Sequence, residues 1–250
     1  MIAVPRVQAD IGGADAVVHL AGAPIAVRWT ARRKREMLES RVQGTRRIVE
    51  AIARLERPPR VLVCASAIGF YGDRGNEELT EESGAGSDFL AQVVREWEDA
   101  ARAARVRSVQ LRFGIVLSPH GGALAKMLPA FRLWVGGRLG SGAQWMSWIG
   151  LHDLVRTIRF AIDSDALSGP VNAVAPQPVT NAEFTATLGR VLRRPAVMPI
   201  PAMALRALFG EMAGLTMLAS QRVKPARLER AGFRFEYPAL EGALRHELSG

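Results

Sequence analysis

The sequence predicts an α/β protein built on a mostly parallel, doubly wound sheet, and three features of its 250 residues carry that prediction. The runs Ala14 to Pro24, Arg60 to Ser66 and Ser108 to Leu117 are short and apolar on both faces, which suits strands covered on both sides. Helical segments of more than ten residues separate them, as βαβ units require. Each run also breaks into small, turn-prone residues: Ala21-Gly22-Ala23, Ser66 to Gly72, and Gly114. Ligands of such sheets bind outside the carboxyl ends of the strands, so all three breaks point at one edge.

In chain order, the first strand carries Val17, Val18 and Leu20. Thr30 then stands as an N-cap before Met37, Leu38, Val42, Ile48, Val49, Ile52 and Leu55 at helical spacing. A second strand follows at "RVLVCAS", a second helix from Asp88 to Arg105, and a third strand from Ser108 to Leu117. Beyond Leu117 a Gly-rich loop, "GGRLGSG", lies among Trp134, Trp145 and Trp148, and Asp153 is expected to N-cap a helix from Leu154. A strand, a helix capped at Thr180 or Asn181 with Glu183 in its first turn, and a Pro-bounded strand come next. The chain then reads as a short strand and a closing helix. The division this implies is a first α/β domain over 1–120 and a mixed region over 121–250, with a smaller α+β lobe at about 195–245.

Composition narrows the function classes. No run approaches the roughly 20 apolar residues that span a bilayer, and no charged start leads into an apolar stretch and a cleavage site. The single Cys64 sits in an apolar run, as a core thiol in a reducing compartment would. A cytoplasmic protein is the expectation. The net charge of +9 raises a nucleic-acid partner, but Lys34, Lys126 and Lys224 are the only lysines and the arginines are scattered. The densest patch, Arg32 to Arg35, has Glu36 and Glu39 behind it and reads as a solvated helix face. Neither a nucleic acid nor a membrane is expected as partner, and no Cys or His spacing suggests a metal.

Taken together, "ADAVVHLAGAPI", "RW" with "SRVQGTR", "SAIGFYGDRG", "LRFGIVL", "LGSGAQWMSWIGLHDL" and "VAPQPVTNAEFTATLGRVLRRP" closely resemble the extended short-chain dehydrogenase/reductase superfamily. Within it they look like the epimerase/dehydratase-like branch with its own C-terminal domain, from about Gly12 to Glu247. The resemblance implies a Rossmann domain holding NADP, or NAD, and a smaller lobe closing on a small-molecule substrate. Carried onto this chain, it assigns Leu20, Ala21, Gly22, Ala23, Ser66, Arg112 and Gly114 to the cofactor, and Ser66 and Tyr71 to catalysis.

Two departures from the family stand out. The family opens with a strand, a Gly-x-x-Gly-x-x-Gly turn and a helix that receives the pyrophosphate, whereas the early glycines here are only Gly12 and Gly13. The sheet is therefore expected to lack its first strands and to expose Val17, Val18 and Leu20 on an apolar edge, with poor solubility as the consequence. Either the true start lies several tens of residues upstream, the preferred account, or Met1 to Gln8 partly patches the edge. The second departure is the missing Tyr-x-x-x-Lys dyad: Phe89 and Val93 occupy those helix positions, and the usual Ser falls on Ala67. Replacement acid or base candidates are Ser66, Tyr71, Asp73, Arg74, Glu98, His152 and Asp153.

Several alternatives stay open at this point. Tyr71 either points into the cleft or packs against its turn. Phe131, Trp134, Trp145, Met146 and Trp148 either line a substrate pocket or form a core between lobes. His19 is expected to be a satisfied core imidazole. The protein is either an oxidoreductase or epimerase, or a non-catalytic dinucleotide sensor or scaffold.

Overall fold

The computed structural model describes residues 11–249. In chain order the elements are β1 (Ala16–His19), α1 (Ala31–Ala53), β2 (Val61–Ala67), a 3-10 turn (Ile68–Tyr71), β3 (Glu78–Leu79), α2 (Phe89–Arg102), β4 (Arg107–Phe113) and β5 (Ile115–Leu117). Then come α3 (Gly122–Arg132), β6 (Trp145–Met146), β7 (Trp148–Gly150), α4 (Leu151–Asp163), β8 (Gly169–Ala173), β9 (Val179–Thr180) and α5 (Asn181–Leu192). The chain closes with α6 (Ala202–Phe209), a π-helical turn (Ala213–Met217), β10 (Arg222–Val223), α7 (Ala226–Arg230) and α8 (Leu240–Leu248).

The central sheet has the order β1-β2-β4-β8, with every pairing parallel. Residues Val61 to Ser66 of β2 are all buried, as a strand covered on both faces must be. On one face Leu62 packs with Val17, Ile48 and Ile52, and Cys64 with Trp97 and Ala101, so α1 and α2 lie there. On the other, Val61, Val63, Val109 and Leu111 meet Leu154 and Ala161 of α4. Helices on both faces of a parallel sheet make this a doubly wound, Rossmann-like arrangement. The Cys64 thiol is a core group, its pKa pushed up to about 12 by burial.

The local signals for the helices act as expected. Thr30 Oγ1 accepts from Arg33 N at 3.2 Å and starts α1, and Asp88 accepts from Ala91 N at 2.9 Å and starts α2. Thr180 and Glu183 form a reciprocal capping box on α5.

Four local expectations need correction. The third strand stops at Phe113; Gly114 turns the chain out of the sheet, and β5 pairs with β7 instead. Gly114 N donates to Ala173 O, and a Cβ at Gly114 would lie 2.6 Å from Ser147 O, so a side chain has no room at this crossing. Asp153 is not an N-cap, because α4 starts at Leu151 and Asp153 falls in its first turn. The Pro-bounded strand after α5 reduces to one bridge, Leu139 with Ile200, and α6 follows it. Where a final short strand was expected, Phe233 instead plugs the α4 side of the core, edge to face with Phe235 at 4.9 Å.

Among the described residues β1 pairs on one side only, with β2. Val17 is buried beneath α1, whereas Val18 and Leu20 are 40% and 51% exposed. A patch supplied by Met1 to Gln8 lies outside the described residues.

Gly114→Ala is expected to lower stability by about 1–3 kcal/mol through overpacking against Ser147. Urea unfolding of the two proteins checks this, and an unchanged midpoint would contradict the tight crossing.

Candidate functional site

The carboxyl edge of the sheet gathers the Leu20–Ala23 loop, the Ser66–Gly72 crest and the Phe113–Gly114 break, as the parallel topology demands. The first loop folds back over α1: Ala23 N donates to Ser40 Oγ at 3.0 Å, and Trp29 Nε1 to Ile25 O at 2.9 Å. Leu20, Ala21 and Gly22 are exposed, Ala23 and Gly114 half-buried, and Ser66 and Arg112 buried. The assigned cofactor residues therefore divide into an exposed rim and a buried layer behind it.

That buried layer is a continuous polar row. Ser66 of β2 stands opposite Arg112 of β4, and Arg112 opposite Asn172 of β8. From α2, Glu98 accepts from Ser66 Oγ at 2.6 Å and from both Nε and Nη2 of Arg112 at 2.7 and 2.8 Å. Arg112 Nη1 donates to Tyr71 Oη at 3.0 Å, and Tyr71 Oη donates to Asn172 Oδ1 at 2.7 Å. The guanidinium also stacks 3.5 Å from the centroid of Phe70. The Tyr71 side chain is fully buried, and desolvation pushes its pKa above the ordinary phenol value, with Arg112 opposing. Its position is the packed one, and it is a neutral phenol. The Ser66 hydroxyl is committed to a carboxylate, and no histidine faces it as a base.

In front of this row, Phe89 at the start of α2 meets Trp29 edge on, with centroids 5.5 Å apart. The Lys34 ammonium lies 4.7 Å from the Phe89 centroid and 5.9 Å from that of Trp29, and it pairs with Glu211 from the C-terminal lobe. A lysine read as part of a solvated face thus lies beside Phe89, the residue at the position where the resemblance calls for a tyrosine. Its charge run held no signal for this: Arg32 and Arg33 do face solvent and pair with Glu36.

The remaining candidates do other work. Asp73 accepts from Gly75 N and Ser220 N, and Arg74 pairs with Glu77. His152 bonds Glu236 at 2.8 Å. Asp153, almost wholly buried, accepts from the backbone N–H groups of Glu236 and Tyr237 and so staples the C-terminal segment to α4. Phe131 and Trp148 are core, Met146 is half-buried, Trp145 bonds Asn76, and Trp134 is exposed beside Arg194. His19 is buried, but its Nε2 has no hydrogen-bond partner, so the expected satisfied imidazole is unsatisfied. Burial lowers its pKa. Among the described residues no cluster of three or more His, Cys, Asp or Glu could hold a metal, and no helix is long and apolar enough to cross a membrane.

Comparison with known proteins places this edge in context. Residues 3–173 match the NAD dependent epimerase/dehydratase family, and residues 200–247 match a domain of unknown function, DUF1731. An epimerase family protein of Mycobacterium bovis is 46% identical over 96% of this chain and 79% of its own length. A chloroplastic epimerase family protein of Arabidopsis thaliana is 44% identical over 94% of this chain and 69% of its own. The crystal structure of human epimerase family protein SDR39U1 (isoform 2) with NADPH superposes with a TM-score of 0.91 at 36% identity, covering 94% of this chain and 82% of that one.

Two predictions follow from the buried groups. Glu98→Leu or Arg112→Met alone leaves one charge buried without its partner and is expected to cost about 3–5 kcal/mol, while Glu98→Leu with Arg112→Met recovers most of that loss. A double-mutant cycle in denaturant measures it, and additive losses would show the pair to be uncoupled. For His19 the folded pKa lies below the unfolded value of about 6.5, so the unfolded chain takes up the proton first and stability falls as pH drops below that value. His19→Gln should flatten this acid limb in unfolding curves recorded between pH 7 and pH 5.

Proposed function

The chain belongs to the NAD-dependent epimerase/dehydratase family, and from that premise we propose that it binds NADP, or NAD, along the carboxyl edge of its sheet and acts as an oxidoreductase or epimerase on a small molecule. The observation that carries this reading is the division of that edge: a rim from Leu20 to Ala23, small from Ala21 on, backed by a rigid polar row through Ser66 and Arg112. The small residues Ala21 to Ala23 let a cofactor approach backbone, and a fixed row behind them holds the approach geometry. The NADPH of the human relative supports the cofactor.

When bound, the nicotinamide supplies or takes the hydride. The chain's own groups then orient the substrate and hold the proton. Lys34, clasped by Glu211 between two aromatic rings, is the exposed-side cation in reach of a substrate oxygen on the Phe89 side. Ser66 and Tyr71 serve as positioning residues through Glu98 and Arg112. The protein is read as cytoplasmic, with a small molecule rather than nucleic acid or membrane as its partner. A second reading, a dinucleotide sensor or scaffold, is favoured by Phe89 at the tyrosine position and by the buried, committed hydroxyls of Tyr71 and Ser66.

Thermal unfolding with NADPH tests the binding step. A ligand held only by the native state at a hundredfold excess over Kd adds about 2.7 kcal/mol, and no shift would remove dinucleotide binding from this chain. The measurement is run beside a version lengthened upstream in frame; a response confined to the longer protein would place the pyrophosphate cradle there. NADPH oxidation with a panel of carbonyl compounds, lost in Lys34→Met, decides for the enzyme over the sensor.

A further inference from the structure

Arg41, in the third turn of α1, is only 7% exposed, yet no carboxylate among the described residues pairs with it. Arg112, equally deep, has Glu98 on two nitrogens. Arg41 spends one N–H, from Nη1, on Met37 O one turn earlier at 3.2 Å, and its guanidinium lies 5.1 Å from the centroid of Trp97. Burial pushes its pKa down to about 10, so it remains a cation at pH 7. A buried charge without a counterion carries a desolvation cost that no carboxylate among the described residues offsets.

Above it lies Gly22 of the exposed rim. A Cβ at Gly22 would come within 3.0 Å of Arg41 Cζ, 3.1 Å of Nη2 and 3.3 Å of Nε. These distances, shortest to the central carbon, put the missing Cβ over the flat face of the guanidinium, so a glycine is what lets the rim lie across that face. Arg41 Nε and Nη2 donate to no described residue, and the in-plane edge they share matches two oxygens of a phosphate. The neighbouring Ser40 Oγ accepts from Ala23 N and ties the rim to α1.

We propose that Arg41 is a phosphate-binding residue of the dinucleotide site, receiving a phosphate of the cofactor on its unpartnered Nε and Nη2 edge beside the Leu20–Ala23 rim. This rests on the dinucleotide reading above for the identity of the ligand. The chemistry at the residue is a phosphate, and either the pyrophosphate bridge or the 2′-phosphate of NADP presents one.

The test is thermal unfolding of the wild-type chain, Arg41→Met and Gly22→Ala, each with NADPH, NADH and inorganic pyrophosphate. Without ligand, Arg41→Met is expected to melt at or above the wild-type temperature, because an uncompensated cation is gone. Its affinity for the cofactor falls by roughly ten- to a hundredfold, the worth of a charged hydrogen-bonded contact. Gly22→Ala keeps the charge but presses a methyl onto the guanidinium face and displaces the fork, and it loses affinity in the same way; if Arg41→Met does not fold, this variant decides. Equal losses for NADH and NADPH put the pyrophosphate on Arg41, and a loss for NADPH alone puts the 2′-phosphate there. A merely structural arginine gives the reverse pattern, a lower melting temperature with ligand response retained, and that result overturns the proposal. So does unchanged affinity in Gly22→Ala, or a wild-type chain that responds to none of the three anions. A wild-type response to pyrophosphate alone, lost in Arg41→Met, keeps the anion site and removes the dinucleotide reading.

Discussion

The bidentate contact between Glu98 and Arg112 ties helix α2 to the central strand β4, and the candidate site is arranged around it. Both side chains are nearly inaccessible, so their attraction acts where water cannot screen it. The same burial makes either charge costly alone. That cost is met only because the remaining lone pairs and N–H groups are used: Ser66 donates to the carboxylate, and Tyr71 accepts from the guanidinium and passes its own proton to Asn172. Strand register is what permits this. Ser66, Arg112 and Asn172 are opposite one another on three adjacent parallel strands, so a single helix residue can reach two of them.

Once that row is in place, the carboxyl edge has a rigid back wall and a softer front. The crest turn from Ile68 to Tyr71 is held through the Tyr71 hydroxyl from behind and by Gln221, which donates to Ile68 O and Gly72 O, from the C-terminal side. The C-terminal lobe reaches the front through Glu211, whose carboxylate meets Lys34 beside Trp29 and Phe89. A cation held by a carboxylate and two aromatic faces keeps its orientation without being buried. The front and the back wall thus differ in their chemistry: hydroxyls and a fixed ion pair behind, a reachable ammonium ahead.

Helix α1 has two jobs along its length. Its later turns supply Ile48 and Ile52, which cover Val17 and Leu62 and close one face of the sheet. Its earlier turns supply Ser40 and Arg41, which shape and underlie the Leu20–Ala23 rim. The two buried arginines of the region show the difference between structure and ligand. Arg112 is matched by Glu98 from its own chain, while Arg41 lies beneath Gly22 with no carboxylate among the described residues beside it. Strand β1 shares this character: Val17 is core, and its neighbours Val18 and Leu20 are exposed.

Several features were determined by the sequence by itself. Alternation of doubly apolar runs with long amphipathic helices pointed to a parallel sheet covered on both faces, since antiparallel strands with one wet face would alternate apolar and polar residues. Thr30, Asp88 and Thr180 marked helix starts because a cap is a contact between residues two or three places apart. The missing Tyr-x-x-x-Lys dyad was legible only through the family resemblance, which puts Phe89 and Val93 at those positions. Contacts between residues far apart in the chain were beyond such reading. Ser66 meets Glu98 across 32 positions and Tyr71 meets Asn172 across 101, and neither pairing leaves a local pattern. Lys34 read as one member of a charge run, and nothing in the sequence singled out Arg41. Only the packing of the C-terminal lobe against α1, and of a glycine over a guanidinium, distinguished them, because what a charged side chain does depends on which distant groups surround it once the chain is folded.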